Sequence, residues 1–336
     1  MLLEERVPLK SFTTFHIGGP ARFFISVRST EEIFEAVREA KKRHLQFFIL
    51  GGGSNVLVPD EGFNGLVIKM EYKGITFEEK GMQVEAMVGA GENWDEFVAK
   101  VVARGLWGLE NLSGIPGTVG GTPIQNVGAY GAEVADCISW VEAFDSKKEE
   151  LRTFTNSECR FAYRDSFFKS PEGKHFIVTR VCYSLSTQPA PNLSYRDLER
   201  YFFRKKVILP EIREAVLDIR KSKFPDISQM GTAGSFFKNP IVAAEVFKEM
   251  DAGMPGIPHF ALPDGRIKVS LGYILEKLGW KGIHKGNAGV FERQALVLIN
   301  LGNASSGEIR ELATQIMDDV YKKIGVQITP EIIFVE

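Results

Sequence analysis

S-G-I-P-G-T-V-G-G-T-P-I-Q-N-V-G-A-Y-G, residues 113–131, is rich in glycine and carries no charged side chain. Glycine reaches backbone angles closed to other residues and lets the main chain approach a ligand closely. Successive N–H groups in such a turn form a nest for an anion. A nest without lysine or arginine implies a pyrophosphate held by amides, with the rest of a cofactor on apolar surface. The competing account is a tightly packed turn with no ligand. A second uncharged loop, G-G-G-S-N-V-L-V at 51–58, follows the apolar run at 47–50. A buried strand feeding a glycine turn is a usual place for a phosphate group, which favours the ligand account. Neither G-x-G-x-x-G nor G-x-x-x-x-G-K-[ST] occurs, so the Rossmann and P-loop readings are disfavoured.

The 336 residues suffice for two or three domains with substantial cores. Hydrophobic residues at 44% and charged residues at 25% are ordinary for a soluble enzyme. A formal net charge of -2 offers nothing to nucleic acid or an anionic membrane, and neither is expected as a partner. The opening M-L-L-E-E-R-V-P-L-K lacks the apolar stretch of a signal peptide. No run approaches the roughly 20 apolar residues of a membrane helix, so a cytoplasmic location is expected. Cys137, Cys159 and Cys182 fit neither a metal spacing nor an even disulfide set, and are expected to be reduced. The five histidines form no ligand pair, and no metal is expected.

Ser29 and Glu32 read as a capping box ahead of the helical face Ile33, Phe34, Val37 and Ala40. Strands follow at 47–50 and 66–68, giving a small lobe over 1–69. A strand at 84–88 leads to a helix with Trp94, Phe97, Val98, Val101 and Val102 on one side and Gly105 as its stop. Strands at 138–144 and 176–185 complete a second lobe over 70–205, and the glycine loops of both lobes are expected to face one cleft. The proline-rich, polar stretch in 186–206 marks the main boundary. A C-terminal domain over 206–336 opens on a helix at Pro210. It continues with a helix at 270–278, a strand at 295–301, a helix capped by Ser305 and Glu308 and stopped by Gly325, and a last strand at 328–335.

Three segments place reactive side chains where local pattern does not ask for them. In C-R-F-A-Y-R-D-S-F-F-K, 159–169, Tyr163, Arg164 and Asp165 lie between apolar neighbours. An internal arginine needs an anionic partner, either a structural aspartate or a substrate carboxylate. In G-T-A-G-S-F-F-K-N-P, 231–240, Ser235 follows a glycine turn and precedes two phenylalanines. It is either a helix or turn cap or a hydroxyl exposed on an apolar wall. It is not a nucleophile elbow, because G-x-S-x-G is absent. Glu331 enters the apolar terminal segment, either on a solvated face or desolvated with a raised pKa.

These segments together closely resemble the bacterial UDP-N-acetylenolpyruvoylglucosamine reductases, the flavoenzymes often called MurB. The likeness runs almost end to end, through S-F-T-T-F-H-I-G-G-P-A, G-G-G-S-N-V-L-V, G-A-G-E-N-W, the 110–131 segment, C-R-F-A-Y-R-D-S-F-F-K, G-S-F-F-K-N-P, R-Q-A-L-V-L-I-N and P-E-I-I-F. The resemblance implies an α+β (mixed α/β) fold. Its two-lobed FAD-binding region, of the vanillyl-alcohol-oxidase or PCMH type, would span about 17–188, followed by a C-terminal substrate-binding domain. FAD is implied as cofactor, NADPH as hydride donor and UDP-N-acetylglucosamine enolpyruvate as substrate, in a monomer that serves cell-wall precursor synthesis.

By the same likeness, FAD is expected on Gly51, Gly52, Gly53, Ser54 and Asn55 of the first loop. The second loop would contribute Gly114, Gly117, Thr118, Gly120, Gly121, Gln125, Asn126, Gly128 and Ala129. Arg164 matches the arginine that stabilises an enolate, Glu331 the glutamate that assists on the same carboxylate, and Ser235 the proton donor. Tyr130, Tyr163, Lys223, Asn239 and Gln294 match substrate contacts, with Lys223 on the diphosphate. The segment at 192–195 resembles a loop whose tyrosine, here Tyr195, folds over the substrate. Phe291 departs from the histidine frequent before R-Q-A-L, at a position taken as peripheral. Two other readings stay open: a different FAD-dependent oxidoreductase of the same cofactor fold, and a sugar-nucleotide binding protein without catalysis.

Overall fold

A computed structural model describes residues 2–205 and 207–336. Met1 and Lys206, the latter the first residue expected of the C-terminal domain, lie outside the described residues. Helices and sheets are mixed along the chain, as the α+β reading expects. The chain divides into two compact units: the N-terminal residues to Val7, Ala21–Gly52 and Asn64–Lys221 in the first, and Pro8–Pro20, Gly53–Phe63 and Ser222–Glu336 in the second.

In the first unit a four-stranded sheet runs in the order Glu4–Pro8, Pro20–Val27, Phe63–Met70, Phe47–Leu50. The last two strands are parallel, with Leu50 opposite Lys69. Their carboxyl ends therefore lie together, the end of a parallel sheet where ligands are usually held. Helix Thr30–Lys42 starts where Ser29 accepts from the Glu32 amide at 3.2 Å. The Glu32 carboxylate reaches the Arg28 amide, one residue short of the reciprocal bond to Ser29 expected of a capping box. Ile33, Ala36, Val37 and Ala40 repeat at helical spacing and are fully buried, each larger one contributing about 1.5–3 kcal/mol.

A five-stranded antiparallel sheet follows, in the order Glu150–Thr155, Ile138–Asp145, Phe176–Ser186, Gln83–Gly89, Ile75–Lys80. The register sets Val141 opposite Val181 and Val181 opposite Val88, all buried. Helix Trp94–Ala103 is capped by Asn93, which accepts from the Glu96 amide at 3.0 Å. It ends at Gly105, whose φ of 72° few other residues adopt readily. One buried cluster passes through both sheets and this helix. Cys137, Cys159 and Cys182 are buried free thiols; burial first, then neighbouring carboxylates, pushes each up to about 12.

The second unit has its own core around Phe15, Leu57, Phe236, Phe237, Ile274 and Ile316. Helix Ser306–Ile324 carries the expected capping box of Ser305 and Glu308, and Gly325 ends it at φ 75°. Asp60 adds a further cap, accepting from Ser306 N at 2.9 Å and Ser306 Oγ at 2.8 Å. The expected strand at 328–335 is only Ile333–Phe334, paired in parallel with Val56–Leu57. Pro330 has no N–H to give a ladder. The residues beside it pair with the serine segment instead, Phe237 bridging to Pro330. Among the described residues, no helix is long and apolar enough to cross a membrane.

Candidate active site

In the first unit the glycine loops meet. A Cβ on Gly52 would lie 2.5 Å from Cα of Gly117, and one on Gly51 would lie 2.7 Å from Oγ1 of Thr118. Two backbones at that distance leave N–H groups without side chains over them, which suits a diphosphate approached from the main chain. Gly117 has φ 131°, its carbonyl accepts from Trp94 N at 3.1 Å, and Gly120 N donates to Ala90 O at 2.9 Å. The loop is thus laid along the G-A-G-E-N-W segment. At Gly121 a Cβ would meet nothing within 4 Å, so that glycine has no such packing reason.

The loops are uncharged in sequence, but cations reach them from elsewhere. Lys69 donates from Nζ to the carbonyl of Gly51, and burial pulls its ammonium below the usual lysine range, opposed by Glu71. Arg220 donates from Nε to Gly114 O at 2.9 Å. Burial lowers its guanidinium from the ordinary value, against the pull of the Tyr130 hydroxyl bonded to it. Arg213 grips Asp95 in a fork at 2.6 and 2.9 Å, and Asp95 also takes the Gly114 amide. Burial works to raise the Asp95 carboxyl, yet this fork and amide hold it below the usual range. Sequence reading missed Lys69 and the Asp95–Arg213 pair. The signal for Lys69 was a lysine directly after the apolar run Leu66–Ile68.

Beyond the loop, helix Gly121–Gln125 ends at Asn126, φ 43°. Gln125 and Asn126 are buried. Gln125 takes a bond from Lys169 Nζ at 3.1 Å, and the Asn126 amide holds Ala162 O and Glu133 Oε2 at 3.0 and 2.8 Å. Both predicted cofactor residues therefore brace the loop with their side chains. Gly128–Ala129 pairs with Ala132–Glu133 around a two-residue turn, Tyr130 at φ 49° and Gly131 at φ 84°. Such turns favour asparagine and glycine. A tyrosine held there stores strain of about 1–3 kcal/mol, a cost that clusters at functional sites.

Arg164 has the same character. Ala162 and Asp165 exchange both backbone hydrogen bonds at 3.0 and 3.1 Å, and Arg164 takes the second corner of that turn at φ 53°. Its guanidinium donates to the carbonyls of Gly128 and Asn126, and lies over the Tyr163 ring at 5.3 Å. Asp165 is exposed and accepts from the Ser166 amide. Tyr195 meets Tyr130 edge to face.

The second unit holds the remaining candidates. Ser235 bridges to Val297, Phe236 N donates to Leu296 O at 2.7 Å, and Glu331 N donates to Phe236 O at 2.7 Å. The serine segment thus lies between the 294–297 and 329–331 segments. Phe236 and Phe237 are buried while Ser235 is half-buried. The Ser235 hydroxyl caps no helix or turn among the described residues, which removes the cap account. Glu331 is half-buried, one residue across from Phe236, and its carbonyl accepts from the Asn55 amide at 3.4 Å. Gly53 has φ 65°, and a Cβ there would lie 1.9 Å from Phe12 O; it and half-buried Ser54 lead into Asn55. Asn239 accepts from Leu271 N at 3.0 Å, and the Gln294 carbonyl would lie 3.0 Å from a Cβ on Gly272. Those two converge on the first turn of helix Leu271–Lys277. Lys223 is half-buried beside Phe224, which packs on Phe291. Phe291 is 5% exposed, so it fills a small apolar cluster.

Known proteins are similar to this chain. An FAD binding domain model matches residues 21–154. The model for the C-terminal domain of UDP-N-acetylenolpyruvoylglucosamine reductase matches residues 226–335. The reductase of Ralstonia nicotianae is 39% identical over 337 residues, covering 98% of both chains. The chain belongs to the UDP-N-acetylenolpyruvoylglucosamine reductase family. Another reductase of that name, from Neisseria gonorrhoeae, is 40% identical over 98% of this chain and 96% of its own. The crystal structure of the reductase from Thermus caldophilus superposes with a TM-score of 0.71 at 28% identity, covering all of both chains. The 6-hydroxy-D-nicotine oxidase of Arthrobacter nicotinovorans shares the fold at TM-score 0.50 and 14% identity, over 91% of this chain and 81% of its own. The family makes this chain an FAD-dependent oxidoreductase, and the crowded glycines at 52 and 117 fit that cofactor.

Proposed function

We propose that the chain reduces UDP-N-acetylglucosamine enolpyruvate to UDP-N-acetylmuramate with NADPH, as a cytoplasmic monomer of cell-wall precursor synthesis. The chemistry that FAD supplies when bound is hydride transfer, from NADPH to its ring and from its ring to the vinyl carbon of the substrate. Hydride at that carbon leaves negative charge on the ether-bearing carbon and its carboxylate. Arg164, with a planar fork on an over-determined turn, stabilises that charge, and its hydrogen bonds strengthen as the charge develops. Glu331 assists at the same carboxylate.

Ser235 donates its hydroxyl proton to the carbanion and forms the second new C–H bond. Serine is a weak acid, but an enolate is strongly basic, so proximity can suffice. Lys223 neutralises the diphosphate, Tyr130, Tyr163, Asn239 and Gln294 orient the sugar nucleotide, and Tyr195 closes over it. On the cofactor side, the bare backbone where Gly52 crowds Gly117 faces the pyrophosphate and Lys69 adds a charge.

The observation that carries this reading is identity near 39% over 98% of a reductase, with Arg164, Ser235 and Glu331 all present. The test is NADPH consumption by the flavin-loaded protein, with and without the enolpyruvyl sugar nucleotide, and product identification by mass. Consumption that depends on the sugar nucleotide and yields UDP-N-acetylmuramate is expected. Flavin reduction that the sugar nucleotide never accelerates would indicate a different FAD-dependent oxidoreductase. A colourless protein that takes up no FAD would indicate a binding protein without catalysis.

A further inference from the structure

Asn111 is a buried side chain that the proposed chemistry does not use. It is 2% exposed and lies in the single turn Glu110–Leu112. That turn is stiffened by Gly108 N donating to the Glu110 carboxyl at 2.7 Å and by Ser113 Oγ donating to Glu110 O at 2.7 Å. The Asn111 amide nitrogen donates to two carbonyls, Tyr130 O and Asn192 O, each at 2.8 Å. Both partners are pure acceptors, so the –NH2 end must face them. Its Oδ1 is buried and has no donor among the described residues. Native proteins rarely leave a buried acceptor unmet without a reason. A leucine would fill the same space without that defect, so the worth of asparagine here lies in its two donors.

Those donors join the strained turn that carries Tyr130 to the strand of chain that carries Tyr195. Asn192 adds a second tie, its Nδ2 donating to Gly131 O at 2.9 Å. A Cβ on Gly131 would lie 2.8 Å from Ser194 Oγ, so the two segments are in close contact. The rings of Tyr130 and Tyr195 then meet at 5.1 Å and 88°. On the far side, helix Arg196–Tyr201 is anchored by Leu198, which is fully buried, and by Phe202. Residues 192–195 are therefore a strap between a fixed helix and the Asn111 amide.

We propose that Asn111 is a positioning residue, a buried clasp that sets the resting place of the Tyr195 strap against the Tyr130 turn. It rests on the reading of Tyr195 as a group that closes over the sugar nucleotide. The clasp lets that ring start near its working position, so that binding does not have to order the strap.

The test uses the flavin-loaded Asn111→Leu protein beside Tyr195→Ala and the double variant. For Asn111→Leu, KM for UDP-N-acetylglucosamine enolpyruvate rises about tenfold, with kcat within about twofold and flavin content unchanged. Trypsin cuts faster at Arg196 and Arg200 while cleavage elsewhere and the urea midpoint stay as in the parent. The double variant has the KM of Tyr195→Ala alone, because clasp and ring act as one unit. If Asn111→Leu does not fold, Asn192→Ala removes the second tie, with a KM rise of about threefold and the same faster nicking. The clasp is overturned if Tyr195→Ala raises KM while Asn111→Leu leaves both KM and nicking unchanged, or if the two effects multiply. A Tyr195→Ala protein with unchanged KM overturns the closure reading instead, and faster nicking in Asn111→Leu then still reports the clasp.

Discussion

A Cβ on Gly128 would lie 2.9 Å from Nη1 of Arg164. That glycine is therefore what lets the guanidinium lie against the carbonyls of Asn126 and Gly128. Gly128→Ala is expected to displace the guanidinium and slow the step that develops charge, by up to about 100-fold. Flavin reduction by NADPH should slow far less. Rapid-mixing measurement of the two half-reactions separates them, and equal losses in both would assign Gly128 to the cofactor alone.

Ser235→Ala should leave reduction of the flavin by NADPH intact. Reoxidation by the sugar nucleotide should slow by about 10²–10⁴-fold, the usual contribution of a placed general acid. Unchanged reoxidation would remove Ser235 as the donor.

Lys69 is the cation at the first glycine loop, bonded to Gly51 O. Lys69→Met should weaken FAD retention by about ten- to hundredfold, the worth of a charge-assisted hydrogen bond. Flavin content after gel filtration across a salt series measures this. Retention equal to the parent at every salt concentration would make Lys69 a structural lysine.

The Asp95–Arg213 pair gives an acid limb to stability. The folded-state pKa of Asp95 lies below its ordinary value of 3.8. Its contribution is therefore fully present above that pH and is lost as pH falls through the depressed folded value. Asp95→Asn should cost about 1–3 kcal/mol at neutral pH and flatten the stability loss below about pH 4. Urea unfolding at several pH values checks the sign; a cost that grows on acidification would contradict it.

Where periodicity is local, sequence and structure agree. The face of Ile33, Val37 and Ala40, the caps at Ser29 and Ser305, and the stops at Gly105 and Gly325 each depend on residues within one or two turns. Long-range pairing was not legible. Nothing local in Pro8–Pro20 or Gly53–Phe63 says that they pack with the C-terminal residues. The final strand shrank to Ile333–Phe334 because Pro330 faces Phe237. The motifs located Arg164, Tyr130 and Asn126, but not their positive φ angles, since none is glycine. Lys69 lies in no motif and Asn111 sits in the 110–131 segment without an assigned role, so only their partners, Gly51 and the carbonyls of Tyr130 and Asn192, give them meaning.

The most direct measurement is a single turnover. The holoprotein is reduced anaerobically with one equivalent of NADPH, freed of NADP and mixed with UDP-N-acetylglucosamine enolpyruvate. The flavin absorbance should return in one fast phase, with one UDP-N-acetylmuramate formed per flavin. A flavin that stays reduced in the presence of the sugar nucleotide would contradict the account.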